Sequence, residues 1–330
     1  MKYFVTGATG FLGNNIVREL LKEKDAEVIA LARNKNDISL QGLDITIVQG
    51  DITDVELMDR IVEEGMIIIH VAGIVALDNK NYDRVMRVNF EATKDLVDIA
   101  IKNKINKFVY VSSVEALYKE KNSVSTEPTA FYPDKIKMVY GKSKALASGY
   151  VYEKIKNKEL NGIILYPSAV FGPRDYKDTN NITAIFKKAI DGKLLGIIKG
   201  SYNFIYIDDL SRLVVKACKE EHKGTYLATG EEVSIDRLMT STFKVLDKKK
   251  PRKYPLWLIS IGCFFISLHA RATGKPQLYT LANIKYLNLG YKYDNSKMLK
   301  DFGIKLTDFD VAMEETVKWY LACKNGENKL

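Results

Sequence analysis

Short apolar segments alternate with amphipathic segments along the first half of the chain. The apolar segments carry almost no polar residues, as in "MIIIHVAG" at 66–73. The segments between them repeat apolar residues at helical spacing, as in "NNIVRELLKEK" at 14–24. Strands that are apolar on both sides are covered by helices on both faces of a sheet, and this alternation is typical of βαβ units. The sequence therefore predicts an α/β fold with a doubly wound parallel sheet, a Rossmann fold.

The alternation becomes less regular after about residue 172. We expect residues 1–172 to form the Rossmann domain, with residues 197–228 returning to it. Residues 173–330 then form mainly a smaller, mostly C-terminal lobe that binds substrate. A chain of 330 residues is long enough for one large core and a second, smaller one.

The net charge of +9 comes from lysines that are scattered singly or lie in "KKK" at 248–250. We interpret them as a solvated surface and expect no nucleic-acid partner.

The start of the chain, "MKYFVTGATG", lacks the pattern of a signal peptide. Cys218, Cys263 and Cys323 are too far apart to indicate a disulfide framework or a metal site. These features predict a cytoplasmic protein with reduced thiols and no bound metal.

An apolar segment at 256–268 is shorter than the about 20 residues that span a bilayer. A core helix of the small lobe is the first interpretation. The alternative is an apolar wall or lid over a hydrophobic substrate, with contact to a membrane or a partner as a further option. Arg252 and Lys253, just before the segment, would suit a membrane surface.

Gly7, Gly10 and Gly13 lie between the first predicted strand and the first predicted helix. Their spacing differs by one residue from the dinucleotide fingerprint, but the physical requirements are the same. A tight turn, a close approach to a pyrophosphate and close packing of helix on strand each need a glycine. The N-terminus of the following helix offers free N–H groups to the phosphates. This loop predicts a dinucleotide cofactor.

The second predicted strand ends in "IALARNKND", which carries Arg33 and Lys35 and no acid before Asp37. An NAD site usually has a carboxylate here for the ribose 2′-hydroxyl. An arginine instead suits a 2′-phosphate, which it grips with two hydrogen bonds. We therefore predict NADP, with NAD as the alternative and a surface arginine as the other interpretation of Arg33.

Eight motifs follow one another in the order typical of one family: "TGATGFLG", "GDITD", "HVAG", "VNFEAT", "VYVSSV", "YGKSK", "YPSAVFGPRD" and "FIYIDDL". With these motifs the chain resembles the extended short-chain dehydrogenase/reductase superfamily of the NAD-dependent epimerase/dehydratase type. The resemblance covers almost the whole chain. Dimers through the region of the catalytic helix are common in that superfamily, so the resemblance also implies a homodimer as an option.

The resemblance implies a role for each matching residue. Ser113, Tyr140 and Lys144 would form the catalytic set, with Ser112 as the alternative serine. His70 is expected to be a buried structural histidine. The expected cofactor-binding residues are Gly7, Thr9, Gly10, Phe11, Leu12, Gly13, Arg33, Asp51, Ile52, Ala72, Gly73, Tyr140, Lys144, Tyr166 and Pro167.

Carbonyl reduction needs these residue types. The nicotinamide gives a hydride, and the developing alkoxide needs a proton from an acid. A free tyrosine has a pKa near 10. The Lys144 ammonium and the positive charge of the oxidised nicotinamide both stabilise its phenolate, so they are expected to lower the pKa of Tyr140 towards neutrality. Tyr140 can then act as acid or base, while Ser113 donates a hydrogen bond to the substrate oxygen.

The motifs around Pro167 and Ser168 depart from the nucleotide-sugar epimerases, as does "NFIYIDD" with Asn203 and Tyr206. "LARN" and "VYVSSVEAL" instead resemble the dihydroflavonol 4-reductase and 3β-hydroxysteroid dehydrogenase branch. This resemblance implies an NADP-dependent reductase of an apolar ketone or aldehyde, reversibly oxidising the alcohol. The alternatives are a nucleotide-sugar epimerase or dehydratase with tightly bound NAD, and an NADP-sensing or scaffold protein without turnover.

Overall fold

The computed structural model describes residues 1–327 except positions 77, 80, 121–122, 179, 195, 198 and 256–289. The predicted segment 256–268 therefore lies outside the described residues. In chain order the described strands and helices are β1 (Lys2–Thr6), α1 (Phe11–Leu20), β2 (Glu27–Ala32), β3 (Thr46–Gln49), α2 (Val55–Ile61), β4 (Ile67–His70), α3 (Tyr82–Met86), α4 (Ala92–Lys102), β5 (Lys107–Val111), β6 (Val124–Ser125), α5 (Val139–Lys156), β7 (Gly162–Pro167), β8 (Ala169–Phe171), α6 (Asn181–Ile190), β9 (Ser201–Tyr206), α7 (Ile207–Lys219), β10 (Gly224–Ala228), β11 (Glu231–Ser234), α8 (Ile235–Val245), β12 (Lys292–Tyr293), α9 (Ser296–Phe302) and α10 (Phe309–Lys324).

The apolar segments form one parallel sheet. Its seven strands lie in the order β3–β2–β1–β4–β5–β7–β10, and every neighbouring pair is parallel. The chain starts near the middle at β1 and winds first to one side and then to the other, as in doubly wound folds. The predicted fold class is confirmed.

Helices cover both faces of this sheet. Residues of α1, α7 and α9 form the core on one face, and residues of α2, α4 and α5 form the core on the other. Neighbouring residues of a strand supply opposite faces: Tyr3 and Val5 belong to the first core and Phe4 to the second, and all three are buried. Because both sides of each strand are covered, its residues are apolar throughout rather than alternately polar.

A second, smaller core lies beside the main sheet. Strands β8, β9 and β11 form a three-stranded sheet, on which α6, α8 and α10 pack through aromatic and aliphatic side chains such as Phe186, Phe243 and Val317. Phe11, at the start of α1, belongs to this core as well. The two cores therefore meet at the N-terminal end of α1. Among the described residues, no helix is both long enough and apolar enough to cross a membrane.

His70, at the end of β4, is a fully buried neutral histidine. Its Nδ1 lies 2.7 Å from the Thr6 hydroxyl, and its Nε2 lies 2.8 Å from the Thr93 hydroxyl. The Thr93 hydroxyl donates its single proton to the Asn89 carbonyl at 2.8 Å, so it accepts a hydrogen bond from His70 Nε2–H. Both ring nitrogens are satisfied in this tautomer, and burial lowers the pKa of His70 to about 3.

Helix α5 packs closely on the short 3₁₀ helix Val114–Ala116. A Cβ atom on Gly141 would lie 2.5 Å from the Glu115 carbonyl oxygen and 2.9 Å from a methyl group of Ile136. This contact explains why a residue that weakens helices follows Tyr140 directly. Gly149, two turns further along the same helix, would place its Cβ no closer than 3.6 Å to Phe131.

The two glycines should respond oppositely to alanine. Gly141→Ala should lower the free energy of unfolding by about 2 kcal/mol, because the backbone of residue 115 has to move. Gly149→Ala should raise it by up to about 1 kcal/mol, because alanine favours a helix interior. Urea unfolding of both variants measures this difference, and equal effects would contradict the close packing.

The stability of the fold should depend on pH through His70. The pKa of its unfolded form is about 6.5, and burial lowers the pKa in the folded protein to about 3. The folded pKa is the lower one, so this contribution is complete above pH 6.5 and is lost as the pH falls towards 3. Between pH 6.5 and 5 the loss should be about 2 kcal/mol. Urea unfolding at both pH values should show a shallower dependence for His70→Gln, and parallel curves for the two proteins would exclude this role.

Candidate active site

The site lies at the carboxyl edge of the main sheet. The glycine loop follows β1, Ala72 and Gly73 follow β4, and Ser112 and Ser113 follow β5. The carboxyl ends of parallel strands meet at one edge, and the change in winding direction opens a crevice there. The helix α5 adds its first turns to the same region through its contact with the turn after β5.

The glycine loop depends on the absence of side chains. Gly7 has a φ of +71°, and a Cβ atom there would lie 2.6 Å from the backbone nitrogen of Ala72. A Cβ atom on Gly13 would overlap the Gly7 carbonyl group. Gly10 N–H donates to the Gly7 carbonyl at 2.9 Å and closes the turn. Helix α1 then begins with no capping side chain and no acid in its first turn. Its N–H groups and positive dipole are directed at the crevice, as anion binding requires.

Three other residues of the predicted cofactor set also lie along this crevice. The carbonyl oxygen of Thr9 lies 3.2 Å from the Ser39 hydroxyl. Asp51, just past β3, accepts from the backbone and hydroxyl of Thr53 at 3.0 and 2.9 Å. The neighbouring Ile52 is buried.

Three predicted residues face the protein interior instead. The ring of Phe11 packs in the small core, and the side chain of Tyr166 is fully buried in the main one. Leu12 is partly buried between the first face of the sheet and the small core. Pro167, next in β7, pairs with Ala228 of β10. Phe11 and Tyr166 can therefore reach a ligand only through their backbone.

Tyr140 and Lys144 lie one turn apart on α5. The Lys144 ammonium donates to the Val111 carbonyl at 3.0 Å and lies 4.8 Å from the centre of the Tyr110 ring. A Cβ atom on Gly73 would be 3.4 Å from Lys144 Nζ, so the end of β4 also touches this lysine. Lys144 is thus held between the ends of β4 and β5.

The two adjacent serines have different partners. Ser113 lies near the Tyr140 phenol and acts to lower its pKa, and the Ser113 oxygen accepts from the backbone N–H of Glu115 at 3.1 Å. The Ser112 hydroxyl lies 2.8 Å from that of Ser148 in the interior. The structure therefore brings Ser113 and not Ser112 to Tyr140.

Burial dominates the electrostatics of the Tyr140–Lys144 pair. It raises the pKa of the Tyr140 phenol to about 12, although the nearby Ser113 hydroxyl works in the opposite direction. It also lowers the pKa of the Lys144 ammonium to about 7. From the sequence, the Lys144 ammonium and the charge of the oxidised nicotinamide are expected to bring the pKa of Tyr140 towards neutrality. In the protein without cofactor the loss of hydration moves the pKa upwards instead, so Tyr140 is a protonated phenol at neutral pH.

Asn89 holds the segment after β4 in place, a role that the sequence argument did not assign. Its Oδ1 accepts from Ile74 N–H at 2.7 Å, and its Nδ2 donates to the Ile74 carbonyl at 3.0 Å and to Ser143 at 3.1 Å. It lies in a π-helical turn, Arg87–Glu91, between α3 and α4, a distortion frequent at functional sites. The asparagine of the motif "VNFEAT" is the sequence feature that could have indicated this role.

A second group missed by the sequence argument lies next to Ser113. Glu115 accepts hydrogen bonds from Lys119 at 3.2 Å and from the Tyr202 hydroxyl at 3.0 Å. The Lys119 side chain is 5% exposed and lies 5.0 Å from the centre of the Tyr291 ring. Burial lowers the pKa of Lys119, and the carboxylate of Glu115 opposes that shift. This group joins the turn after β5 to β9 and to the segment before β12.

The loop after β2 has two basic side chains on the surface and one acidic side chain turned inwards. Arg33 and Lys35 are exposed. Asp37 is turned inwards, where Oδ1 accepts from the Ser39 backbone at 3.1 Å and from its hydroxyl at 2.6 Å.

The two residues that depart from the epimerase pattern have partners within the protein. Asn203 is buried and exchanges two hydrogen bonds with the backbone of Gly230, at 3.1 and 3.0 Å. The Tyr206 hydroxyl donates to Glu315 of α10 at 2.5 Å.

Comparison with known proteins shows which family and which proteins this chain is similar to. Residues 3–228 match the model of the NAD dependent epimerase/dehydratase family. "Sterol demethylase protein B" of Methylococcus capsulatus is 25% identical, over 97% of this chain and 98% of its own. The 3 beta-hydroxysteroid dehydrogenase/Delta 5→4-isomerase of vaccinia virus is 25% identical, over 96% of this chain and 98% of its own.

The fold is also that of a solved epimerase. The UDP-glucuronic acid 4-epimerase from Bacillus cereus, in complex with NAD, superposes with a TM-score of 0.77 at 20% identity, covering 99% of this chain and 98% of its own. At this identity the likeness concerns the fold alone. The family match spans more than half of the chain and includes the glycine loop and α5. The resemblance seen in the sequence is therefore confirmed: the chain belongs to the NAD-dependent epimerase/dehydratase family.

Proposed function

We propose that this protein is an NADPH-dependent reductase that converts a ketone or aldehyde of an apolar small molecule into the alcohol, and that it catalyses the reverse reaction as well. The observation that carries the proposal is the assembly of Ser113, Tyr140 and Lys144 at the carboxyl edge of the sheet. Ser113 would give a hydrogen bond and Tyr140 a proton to the reacting oxygen, while Lys144 would act on Tyr140.

The residues of the crevice fit a nicotinamide dinucleotide. The uncapped N-terminus of α1 and the backbone of Gly7, Gly10 and Gly13 would hold the pyrophosphate. Arg33 would bind a 2′-phosphate, because it is exposed while Asp37 is turned towards Ser39. Members of the family use nicotinamide cofactors, and bound NADPH supplies the hydride.

The side chains of this chain handle the oxygen and its proton. Ser113 donates a hydrogen bond to the carbonyl oxygen as negative charge develops on it. Tyr140 then transfers its phenolic proton to that oxygen while the carbon accepts the hydride, which balances the reduction. Because burial raises the pKa of Tyr140 to about 12, the phenol is in the form that reduction consumes. Lys144 stabilises the phenolate that remains until solvent returns a proton.

Several observations favour an apolar substrate over a nucleotide sugar. The relatives that match along their whole length include a hydroxysteroid dehydrogenase and a sterol demethylase protein. Asn203 and Tyr206, where epimerases differ, are bonded to Gly230 and Glu315. A scaffold protein without turnover would not need Tyr140 and Lys144 together. We also propose that the protein is cytoplasmic and that it forms a homodimer.

Tyr140→Phe tests the mechanism. The variant keeps the ring but loses the proton, so kcat/KM for NADPH oxidation with an accepted ketone should fall about 1,000-fold, while NADP⁺ binding is retained. Tyr150→Phe is the matched control, since this tyrosine is on the same helix and bonds to Asp98 on the surface. The kcat/KM of Tyr150→Phe should stay within about twofold of the wild-type value. Unchanged turnover of Tyr140→Phe would reject the mechanism, and release of tightly bound NAD from the purified protein would favour the epimerase instead.

A further inference from the structure

The segment after β8 reaches back to the cofactor crevice. Residues 174–177 lie against α1. The Arg174 side chain bonds to Asn15, and the Arg174 carbonyl accepts from Asn14 at 3.2 Å. Arg18 of the same helix lies 5.4 Å from the centre of the Tyr176 ring. The segment is therefore attached to α1 at two of its turns.

The segment ends on the loop that follows β2. The Lys177 ammonium donates to Oδ2 of Asp37 at 2.9 Å, with the two side chains 32% and 14% exposed. The other oxygen of this carboxylate is already bonded to Ser39. Ser39 in turn lies 3.2 Å from the carbonyl of Thr9 in the glycine loop. In space, only Ser39 lies between Asp37 and the glycine loop. Both carboxylate oxygens of Asp37 have partners.

Asp37 is the first acid after β2, four residues beyond Arg33. An unpaired carboxylate here would repel a 2′-phosphate and could accept a hydrogen bond from a ribose hydroxyl. Burial works against its charge, but the bonds with Ser39 and Lys177 lower the pKa of Asp37 overall. The carboxylate is therefore ionised and neutralised by a lysine from a distant part of the chain.

We propose that the Asp37–Lys177 ion pair determines the choice of cofactor: by neutralising Asp37, Lys177 keeps the end of the crevice near Arg33 positive and selects the 2′-phosphorylated dinucleotide. Lys177 acts through Asp37 and is a positioning residue. The inference rests on the proposed function, since it assumes that Arg33 meets a 2′-phosphate.

Calorimetric titration of the purified protein with NADP⁺ and with NAD⁺ tests the proposal without measuring turnover. Lys177→Met should raise the Kd of NADP⁺ about fivefold, the effect of one unpaired charge at a partly exposed site. The Kd of NAD⁺ should change less than about twofold, because it has no 2′-phosphate to repel. Adding Asp37→Asn to Lys177→Met removes the unpaired charge and should restore the wild-type Kd of NADP⁺.

Lys318→Met is the matched control, since it removes an exposed lysine from an ion pair with Glu314 on α10. It should leave both dissociation constants unchanged. A ratio of the two constants that is the same in Lys177→Met as in the wild type would overturn the inference. A double variant that binds NADP⁺ as weakly as Lys177→Met would overturn it too. The loss of affinity would then come from the missing lysine itself and not from the unpaired charge of Asp37. Wild-type protein that binds NAD⁺ more tightly than NADP⁺ would overturn both the cofactor assignment and this inference.

Discussion

The whole site depends on backbone segments that approach more closely than side chains allow. Gly7 lies against Ala72, Gly13 against Gly7, and Gly141 against the carbonyl of residue 115. The first two contacts bring the end of β4 and the start of α1 onto the glycine loop. The third brings α5 onto the turn after β5. Without these contacts neither the helix N-terminus nor Tyr140 and Lys144 would reach the carboxyl edge of the sheet.

The parts of this arrangement that the sequence predicts are local ones. Strands that are buried on both faces are apolar throughout. The strands of the seven-stranded sheet coincide with the apolar segments of the sequence. A spacing of four residues places Tyr140 and Lys144 on one face of a helix. The glycines mark the first turn because only they tolerate its φ and its contacts. Family membership, inferred from the order of the motifs, is confirmed by the comparison.

What the sequence does not predict depends on residues far apart in the chain. Tyr202 meets Glu115 across 87 positions and Lys177 meets Asp37 across 140, and no periodicity relates such pairs. The pKa of Tyr140 was expected to fall, because a neighbouring lysine is visible in the sequence and the depth of burial is not. Burial moves the pKa of Tyr140 upwards and that of Lys144 downwards. Tyr140 is therefore a protonated phenol at neutral pH in the protein without cofactor.

The most direct test follows the hydride. NADPH with deuterium at both C4 positions would be incubated with the protein and an alkyl, an aryl or a steroidal ketone, and the product analysed by mass spectrometry and NMR. If the protein transfers hydride from NADPH to a carbonyl carbon, an accepted ketone yields an alcohol with a single deuterium on the carbinol carbon for each NADPH consumed. An alcohol without deuterium, or no net consumption of NADPH with any of these ketones, would contradict it.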